Sequence, residues 1–148
     1  MTATSILVTG ANGFIGKNFV LRLRECTGTE VMTLVRGDDD SALLDLLAQA
    51  DAVVHLAGEN RPVDPAAFDA VNTGLTQRLC QTLKNMGKRI PVLFSSSAQA
   101  EQDNPYGRSK LAAEEALAQL AQGNGNPVAI YRLPGVFGNG VDPTTTRL

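Results

Sequence analysis

Three glycines at a fixed spacing follow the first apolar run of the chain. Gly10 and Gly13 follow residues 6–8, a predicted buried strand, and Gly16 lies in the first turn of a helical pattern over Phe14–Arg24. In such a strand–turn–helix unit the first glycine allows the tight turn and the second lets the backbone approach a pyrophosphate. The third allows the helix to pack closely on the strand. The unpaired N–H groups and positive end of the helix favour an anion there. The pattern therefore predicts a dinucleotide-binding turn.

Apolar runs and helical patterns alternate along the rest of the chain. The predicted strands cover residues 6–8, 31–35, 52–56, 91–94 and 128–131, and the predicted helices cover residues 14–24, 42–50, 64–86 and 106–122. Strands that are apolar throughout and separated by helices are typical of a parallel sheet covered on both faces. Right-handed crossovers then give an α/β fold with a doubly wound parallel sheet, the Rossmann fold, of about five strands. We expect one NAD(P)-binding domain over residues 1–138 and an irregular tail over residues 139–148.

The helices carry more detailed expectations. Asp40 or Ser41 is placed to cap the helix over residues 42–50. Apolar residues that recur every three or four positions predict which helix faces are buried. They are Phe68, Val71, Leu75, Leu79, Leu83 and Met86 in the third helix, and Leu111, Leu117 and Leu120 in the fourth.

The residues around the glycine turn and the second strand favour NADP(H) as the cofactor, with NAD(H) as the alternative. Arg36 follows the second strand, where an acidic residue would bind a ribose 2′-hydroxyl. A guanidinium at this position suits a 2′-phosphate instead. The acidic residues 38–40 are interpreted as a solvated helix start. The expected contacts to the pyrophosphate come from Gly10, Asn12, Gly13, Phe14, Ile15 and Gly16.

Ser97, Tyr106 and Lys110 form a candidate catalytic group. Ser97 ends the fourth strand, at the sheet edge where open α/β sheets bind ligands. Tyr106 and Lys110 are four positions apart, which places them on one helix face. A free phenol titrates near pH 10, so one that transfers a proton at neutral pH needs nearby positive charge, such as an ammonium. A serine hydroxyl can hydrogen-bond a substrate carbonyl. The spacing alone also fits a surface Tyr–Lys pair, but the strand-end serine and the glycine turn favour hydride transfer.

Composition and charge exclude several other classes of function. The net charge is −2 and no basic block is present, so the chain lacks the electrostatic signature of a nucleic-acid partner. No apolar run is long enough to span a membrane, and the first residues lack a charged signal sequence, which favours the cytoplasm. One histidine and the distant Cys26 and Cys80 make no metal site. We expect both thiols to be reduced and mostly buried.

Six segments resemble the extended short-chain dehydrogenase/reductase family, whose members include NAD-dependent epimerases, dehydratases and reductases of nucleotide sugars. They are residues 9–16, residues 55–58, Asn72, residues 95–97, residues 106–110 and residues 132–138, in the order of the family. The resemblance implies that Tyr106 is the acid/base residue, that Lys110 holds the nicotinamide ribose and that Ser97 binds the substrate oxygen. It implies that Asn72 anchors water or backbone near Lys110. The residues implied to line the cofactor are Leu56, Ala57, Gly58, Lys110 and Pro134.

Two departures from the family pattern narrow the resemblance. About fifteen residues separate Arg36 from the third strand, so a strand–helix unit present in many members is missing, and Ser97 lies unusually close to Tyr106. Both features resemble the bacterial capsular-polysaccharide reductases. This implies C4 reduction, with NADPH, of a UDP-linked 4-keto-6-deoxy-N-acetylhexosamine. The resemblance also implies a homodimer through the helices at 64–86 and 106–122, and it implies that His55 is a packed, hydrogen-bonded residue.

The chain ends ten residues after Gly138, before the region that holds the substrate in the resembled enzymes. We therefore expect the cofactor-binding part of a longer enzyme, one that binds NADP(H) but turns over nucleotide sugar poorly or not at all. An NADP-binding regulatory or sensor module without catalysis remains the main alternative. A nucleotide-sugar epimerase is also open, whereas a dehydratase would need carboxylates that residues 97–99 do not offer.

Overall fold

A computed structural model of the chain describes residues 2–59 and 63–136. The predicted end of the domain at residue 138 and the predicted tail at 139–148 lie outside these residues. The strands are β1 (Thr4–Thr9), β2 (Thr29–Leu34), β3 (Ala52–His55), β4 (Val92–Ser97) and β5 (Val128–Leu133). The helices are α1 (Phe14–Arg24), α2 (Asp40–Gln49), α3 (Leu75–Met86) and α4 (Pro105–Asn124). A π-helical segment, Phe68–Gly74, runs directly into α3, and a 3₁₀ turn, Ala98–Glu101, follows β4.

All five strands are parallel and form one sheet in the order β2-β1-β3-β4-β5. From β1 the chain moves first to one side and then to the other, as a doubly wound sheet requires. The last residue of β1, Thr9, is paired with Leu34 of β2 and with His55 of β3. The carboxyl ends of these strands therefore meet at one edge, and the crevice between β1 and β3 is the switch point where such folds bind ligands. The predicted fold class is confirmed.

Hydrophobic residues cover the two faces of the sheet unequally. On one face, Leu7 and Phe94 are buried beneath α2, α3 and α4. On the other face, Val8 and Val54 pack with Val20 of α1. Burial of such side chains contributes about 1.5–3 kcal/mol each and orients the sheet edge beneath the crevice. Across residues 2–59 and 63–136, no helix has both the length and the apolar character needed to span a bilayer.

The helix α2 begins two residues before its predicted start, and its capping residue differs from the prediction. The Asp39 side chain, rather than Asp40 or Ser41, accepts the hydrogen bond from Ala42 N, at 2.9 Å. Asp38 accepts from Val35 N at 2.9 Å, and Asp40 forms an ion pair with an α3 arginine. The acidic run is therefore a helix start; two of its side chains bond to nearby backbone and the third reaches α3.

The helix predicted over residues 64–86 is interrupted by a π-helical segment, and its predicted buried face is confirmed at Leu79 and Leu83 but not at Val71. The π-helical segment Phe68–Gly74 adds a residue to a turn, which rotates the helix face that meets the sheet. Asn72 and Thr76 are buried, whereas the predicted Val71 and Leu75 are only partly buried. Polar side chains thus occupy the inward face at the level of the sheet edge, because they hydrogen-bond there.

Three further expectations about burial are wrong. Residues 129–132 of β5 are exposed because β5 is an edge strand of the described sheet. Leu111 is 38% exposed because Lys110 and Glu114 take the buried positions of that turn of α4. Cys26 is exposed beyond α1, while Cys80 is buried, and burial raises the pKa of the Cys80 thiol to about 11.

A buried chain of hydrogen bonds through His55 joins β1, β3 and α3. The Thr76 hydroxyl donates to Asn72 O at 2.7 Å, so its oxygen accepts from His55 Nε2 at 2.8 Å. With the proton on Nε2, His55 Nδ1 accepts from the Thr9 hydroxyl at 2.6 Å. The Thr9 oxygen in turn accepts from Ala57 N at 3.2 Å. Thr76 accepts from Nε2 in either charge state of the ring, whereas the bond from the Thr9 hydroxyl to Nδ1 requires the neutral ring. Burial, with a smaller effect of the Lys110 charge, lowers the pKa of His55 to about 3.

We expect the native imidazole to stay neutral from pH 8 to pH 4. His55 is the only histidine of the chain, so its ring proton signal can be followed by NMR. The unfolded chain in urea is the control and should titrate near pH 6.5. Because the unfolded state binds the proton first, acidification below pH 6.5 should cost about 1.4 kcal/mol of unfolding free energy per pH unit. A native signal that titrates near pH 6.5 would contradict this assignment.

Candidate functional site

The glycine turn leaves an uncovered helix end beside the β3 loop. Gly10 has φ +72°, and a Cβ on it would lie 2.5 Å from Ala57 N. A Cβ on Gly16 would lie 2.0 Å from Gly10 O, so α1 packs directly on the turn. Gly13 is the N-cap of α1, and no acidic side chain occupies the first turn. The backbone N–H groups at this end therefore face an open, positive site that fits a phosphate group.

The loop after β3 passes between the glycine turn and the start of α4. Leu56 N donates to Thr9 O at 3.2 Å, which holds the loop against the end of β1. A Cβ on Gly58 would lie 2.9 Å from Lys110 Nζ and 3.0 Å from Asn72 Oδ1. Gly58 is exposed on its other side. A Cβ at this position would press on the Lys110 ammonium and the Asn72 amide, so at least one of these groups would have to shift.

Asn72 fixes the same loop from the π-helical segment. Its Oδ1 accepts from Glu59 N at 2.8 Å, and its Nδ2 donates to Glu59 O at 3.0 Å. The same Nδ2 donates to Ser109 Oγ at 2.9 Å. One buried amide therefore links the β3 loop to the residue that precedes Lys110. The irregular π turn is what places Asn72 on this inward face.

Lys110 is a buried cation at the edge of the sheet. The residue is 5% exposed, and Nζ donates to Ser95 O at 3.2 Å. Nζ also lies 5.1 Å from the ring centre of Phe94 and 5.9 Å from that of Tyr106. Burial lowers the pKa of Lys110 to about 8, against a smaller opposing effect of Glu114. The ammonium is therefore charged at neutral pH, at a cost to stability of about 3 kcal/mol.

Tyr106 and Ser97 lie on the elements that flank this cation. Tyr106 is half-buried in the first turn of α4, with its ring tilted against Phe68 at 5.7 Å between centres. Ser97 ends β4, and its Oγ accepts from Gln99 N at 3.1 Å. That bond orients the oxygen without using the hydroxyl proton. The phenol, the ammonium and the serine thus share the carboxyl edge of the sheet.

A second charged cluster, which the sequence analysis missed, lies one turn along α4. Arg132 of β5 donates to both oxygens of Glu114, from Nε at 2.9 Å and from Nη2 at 2.8 Å. Ser96 Oγ donates to Glu114 Oε1, and Arg132 also pairs with Glu101. Burial would raise the pKa of Glu114, but the bonds from Arg132 and Ser96 hold it below its ordinary value. The spacing of Glu114, four residues after Lys110, is the signal that could have indicated this cluster.

The remaining predicted residues lie at the margin of the crevice. Arg36 is exposed beyond β2, and its guanidinium contacts the carboxylate of Glu59. Pro134 is exposed just beyond β5. The structure therefore brings Gly10, Ala57, Gly58, Asn72 and Lys110 into one contiguous group. No sequence pattern indicated the part played by Glu59.

Comparisons with known proteins agree with this arrangement. The sequence profile of the family described as "NAD dependent epimerase/dehydratase family" matches residues 6–148. A UDP-2-acetamido-2,6-beta-L-arabino-hexul-4-ose reductase of Pseudomonas aeruginosa is 48% identical over 133 residues, which is 90% of this chain and 36% of the reductase.

Two solved structures extend the comparison. The capsular polysaccharide assembling protein CapF of Staphylococcus aureus has a TM-score of 0.81 and 39% identity, over 97% of this chain and 39% of CapF. RMD of Pseudomonas aeruginosa, complexed with NADPH, has a TM-score of 0.81 and 28% identity, over 97% of this chain and 57% of RMD. The chain thus spans little more than a third of the reductase and of CapF. Together with the glycine turn and the polar group at the sheet edge, these matches show that the chain belongs to the NAD dependent epimerase/dehydratase family.

Proposed function

We propose that this chain is the NADP(H)-binding and proton-donating part of a C4 ketoreductase that acts on a nucleotide-linked deoxysugar. One observation carries the proposal. A buried ammonium, Lys110, lies beside the phenol of Tyr106 at the carboxyl edge of the sheet and next to Gly58 of the crevice. A cation that costs stability and lies at a ligand-binding edge is typical of a functional site.

The geometry supports a division of work between these residues. A bound nicotinamide would supply the hydride. Tyr106 would donate the proton that the reduced substrate oxygen requires, and Ser97 would hydrogen-bond the same oxygen. Lys110 would hold the nicotinamide ribose and keep positive charge beside the phenol. Asn72 would hold the β3 loop and the start of α4 in register.

The proposed cofactor contacts follow from the free helix end and from Arg36. The pyrophosphate would lie against residues 10–16, where the α1 N–H groups are uncovered. Arg36 is exposed at the end of β2, within reach of a 2′-phosphate, which favours NADP(H). RMD, complexed with NADPH, supports this choice.

The proposed substrate class rests on the relatives. The reductase that is 48% identical is named for a UDP-linked 4-keto sugar, and CapF is named for capsular polysaccharide assembly. We therefore propose a UDP-linked 4-keto-6-deoxy-N-acetylhexosamine as substrate, in the biosynthesis of a surface polysaccharide.

Arg36→Ala should weaken NADPH binding by about tenfold or more, because a charge-assisted bond to phosphate contributes about 1.5–3 kcal/mol. NADH binding should change less than about twofold. Fluorescence titration of the nicotinamide measures both constants. Arg24→Ala, at the far end of α1, is the matched control. Equal affinities of the unaltered chain for NADPH and NADH would refute the role of Arg36.

Tyr106→Phe should abolish reduction while leaving NADPH binding intact. With the chain in excess over NADPH and the UDP-linked 4-keto sugar, absorbance should show slow cofactor oxidation. The substitution should slow it at least about a hundredfold, as loss of a proton donor does. Tyr131→Phe, on the exposed edge strand, is the control. If Tyr106→Phe oxidises NADPH as fast as the unaltered chain does, Tyr106 is not the proton donor.

We also propose a homodimer through α3 and α4. A groove of about 630 Å³ runs between the outer faces of these helices, lined by Gln77, Arg78, Cys80, Lys84, Gln119 and Leu120 among others. A matching helix pair from a second chain would cover it and bury the exposed side chains of Gln77, Lys84 and Gln119. Light scattering should give twice the 15.6 kDa mass of one chain, and a single-chain mass at micromolar concentration would reject the dimer.

A further inference from the structure

An ion pair crosses the carboxyl end of β1, directly over the glycine turn. Arg36 follows β2 and Glu59 follows β3, and these strands flank β1 on its two sides. The guanidinium of Arg36 contacts Glu59 Oε1, so the two loops are joined across the crevice. Gly10 lies at the end of β1 between them and touches the backbone of the β3 loop. The pair therefore spans the place where a dinucleotide would enter.

The two partners differ in how firmly they are held. Asn72 bonds both the N–H and the carbonyl of Glu59, and the Glu59 side chain is only 24% exposed. The Arg36 side chain is 82% exposed and extends from a loop that contains Gly37 at φ +100°. Glu59 is thus the fixed partner, and Arg36 is the partner that can exchange one anion for another.

Other nearby carboxylates are engaged elsewhere. Asp38 accepts a hydrogen bond from Val35 N, and Asp39 caps α2. Asp40 is paired with Arg78. Among the described residues, Glu59 is consequently the carboxylate that contacts the guanidinium of Arg36.

We propose that Glu59 is a specificity-determining residue, whose carboxylate holds Arg36 across the glycine turn and must release it to a 2′-phosphate. NADPH binding breaks the ion pair and replaces it with a guanidinium–phosphate contact. NADH, which lacks the phosphate, leaves the pair in place. Glu59 therefore limits the preference for the phosphorylated cofactor. This inference rests on the proposed function of Arg36 in binding NADP(H).

The test is a double-mutant cycle of Glu59→Gln and Arg36→Ala. The dissociation constants of NADPH and NADH are measured for the unaltered chain, both single variants and the double variant. Glu59→Gln should tighten NADPH about three- to fivefold, the range expected when an exposed ion pair no longer has to be broken. NADH should change less than about twofold. In the Arg36→Ala chain, Glu59→Gln should change the dissociation constants of both cofactors by the same factor. No guanidinium is then present for which a carboxylate and a phosphate could compete.

Several controls separate this effect from others. Glu25→Gln removes an exposed Arg–Glu pair at the far end of α1 and should leave both constants unchanged. The gain from Glu59→Gln should shrink as salt is raised, since salt screens the exposed pair. Circular dichroism melting checks that each variant is folded.

The outcomes are distinguishable. If Glu59→Gln leaves the ratio of NADPH to NADH affinity unchanged, or lowers it, Glu59 does not compete for Arg36 and the inference is overturned. In that case Arg36→Ala can still lose NADPH selectively, and the proposed function stands. If Arg36→Ala leaves the ratio unchanged, the cofactor assignment itself fails.

Discussion

A neutral histidine buried between two threonines joins the three segments on which the site is built. His55 ties β1 through Thr9 and the start of α3 through Thr76, while Thr9 also receives the N–H of Ala57. The Thr76 hydroxyl donates to the Asn72 carbonyl, so its oxygen accepts from His55. The donor and the acceptor of each bond in this hydrogen-bonded series are therefore fixed. A charged ring would lose the bond that Nδ1 accepts from the Thr9 hydroxyl. The positions of the glycine turn, the β3 loop and the π-helical segment thus depend on one uncharged side chain.

Lys110, in contrast to His55, keeps its charge although it is buried. Its ammonium has one carbonyl, two aromatic rings and, one helical turn away, Glu114. Such a group lowers stability, which makes Lys110 a candidate for a functional role rather than a packing role. Arg132 and Ser96 hold Glu114 in its charged form, and this joins β5 and β4 to the same turn of α4.

Close approach of backbone segments at three glycines completes the site. The missing side chains of Gly10, Gly16 and Gly58 allow the β1 turn, α1 and the β3 loop to approach within contact of one another and of Lys110. The uncovered N–H groups and the Arg36–Glu59 pair then face the same opening. The proposed function has an anionic ligand bound here by backbone and selected by Arg36, a side chain that already has an anionic partner.

Local sequence by itself determined the alternation of strands and helices, the glycine turn and the Tyr106–Lys110 spacing, because these follow from hydrophobic period and from contacts within one helical turn. Only the tertiary structure decided which polar residues face inward and which anion Arg36 meets. The π turn that buries Asn72 and Thr76 responds to partners on other elements. Arg36 and Glu59 are 23 residues apart and meet only because β1 lies between their strands. Such contacts depend on the order of strands in the sheet, which no local pattern encodes.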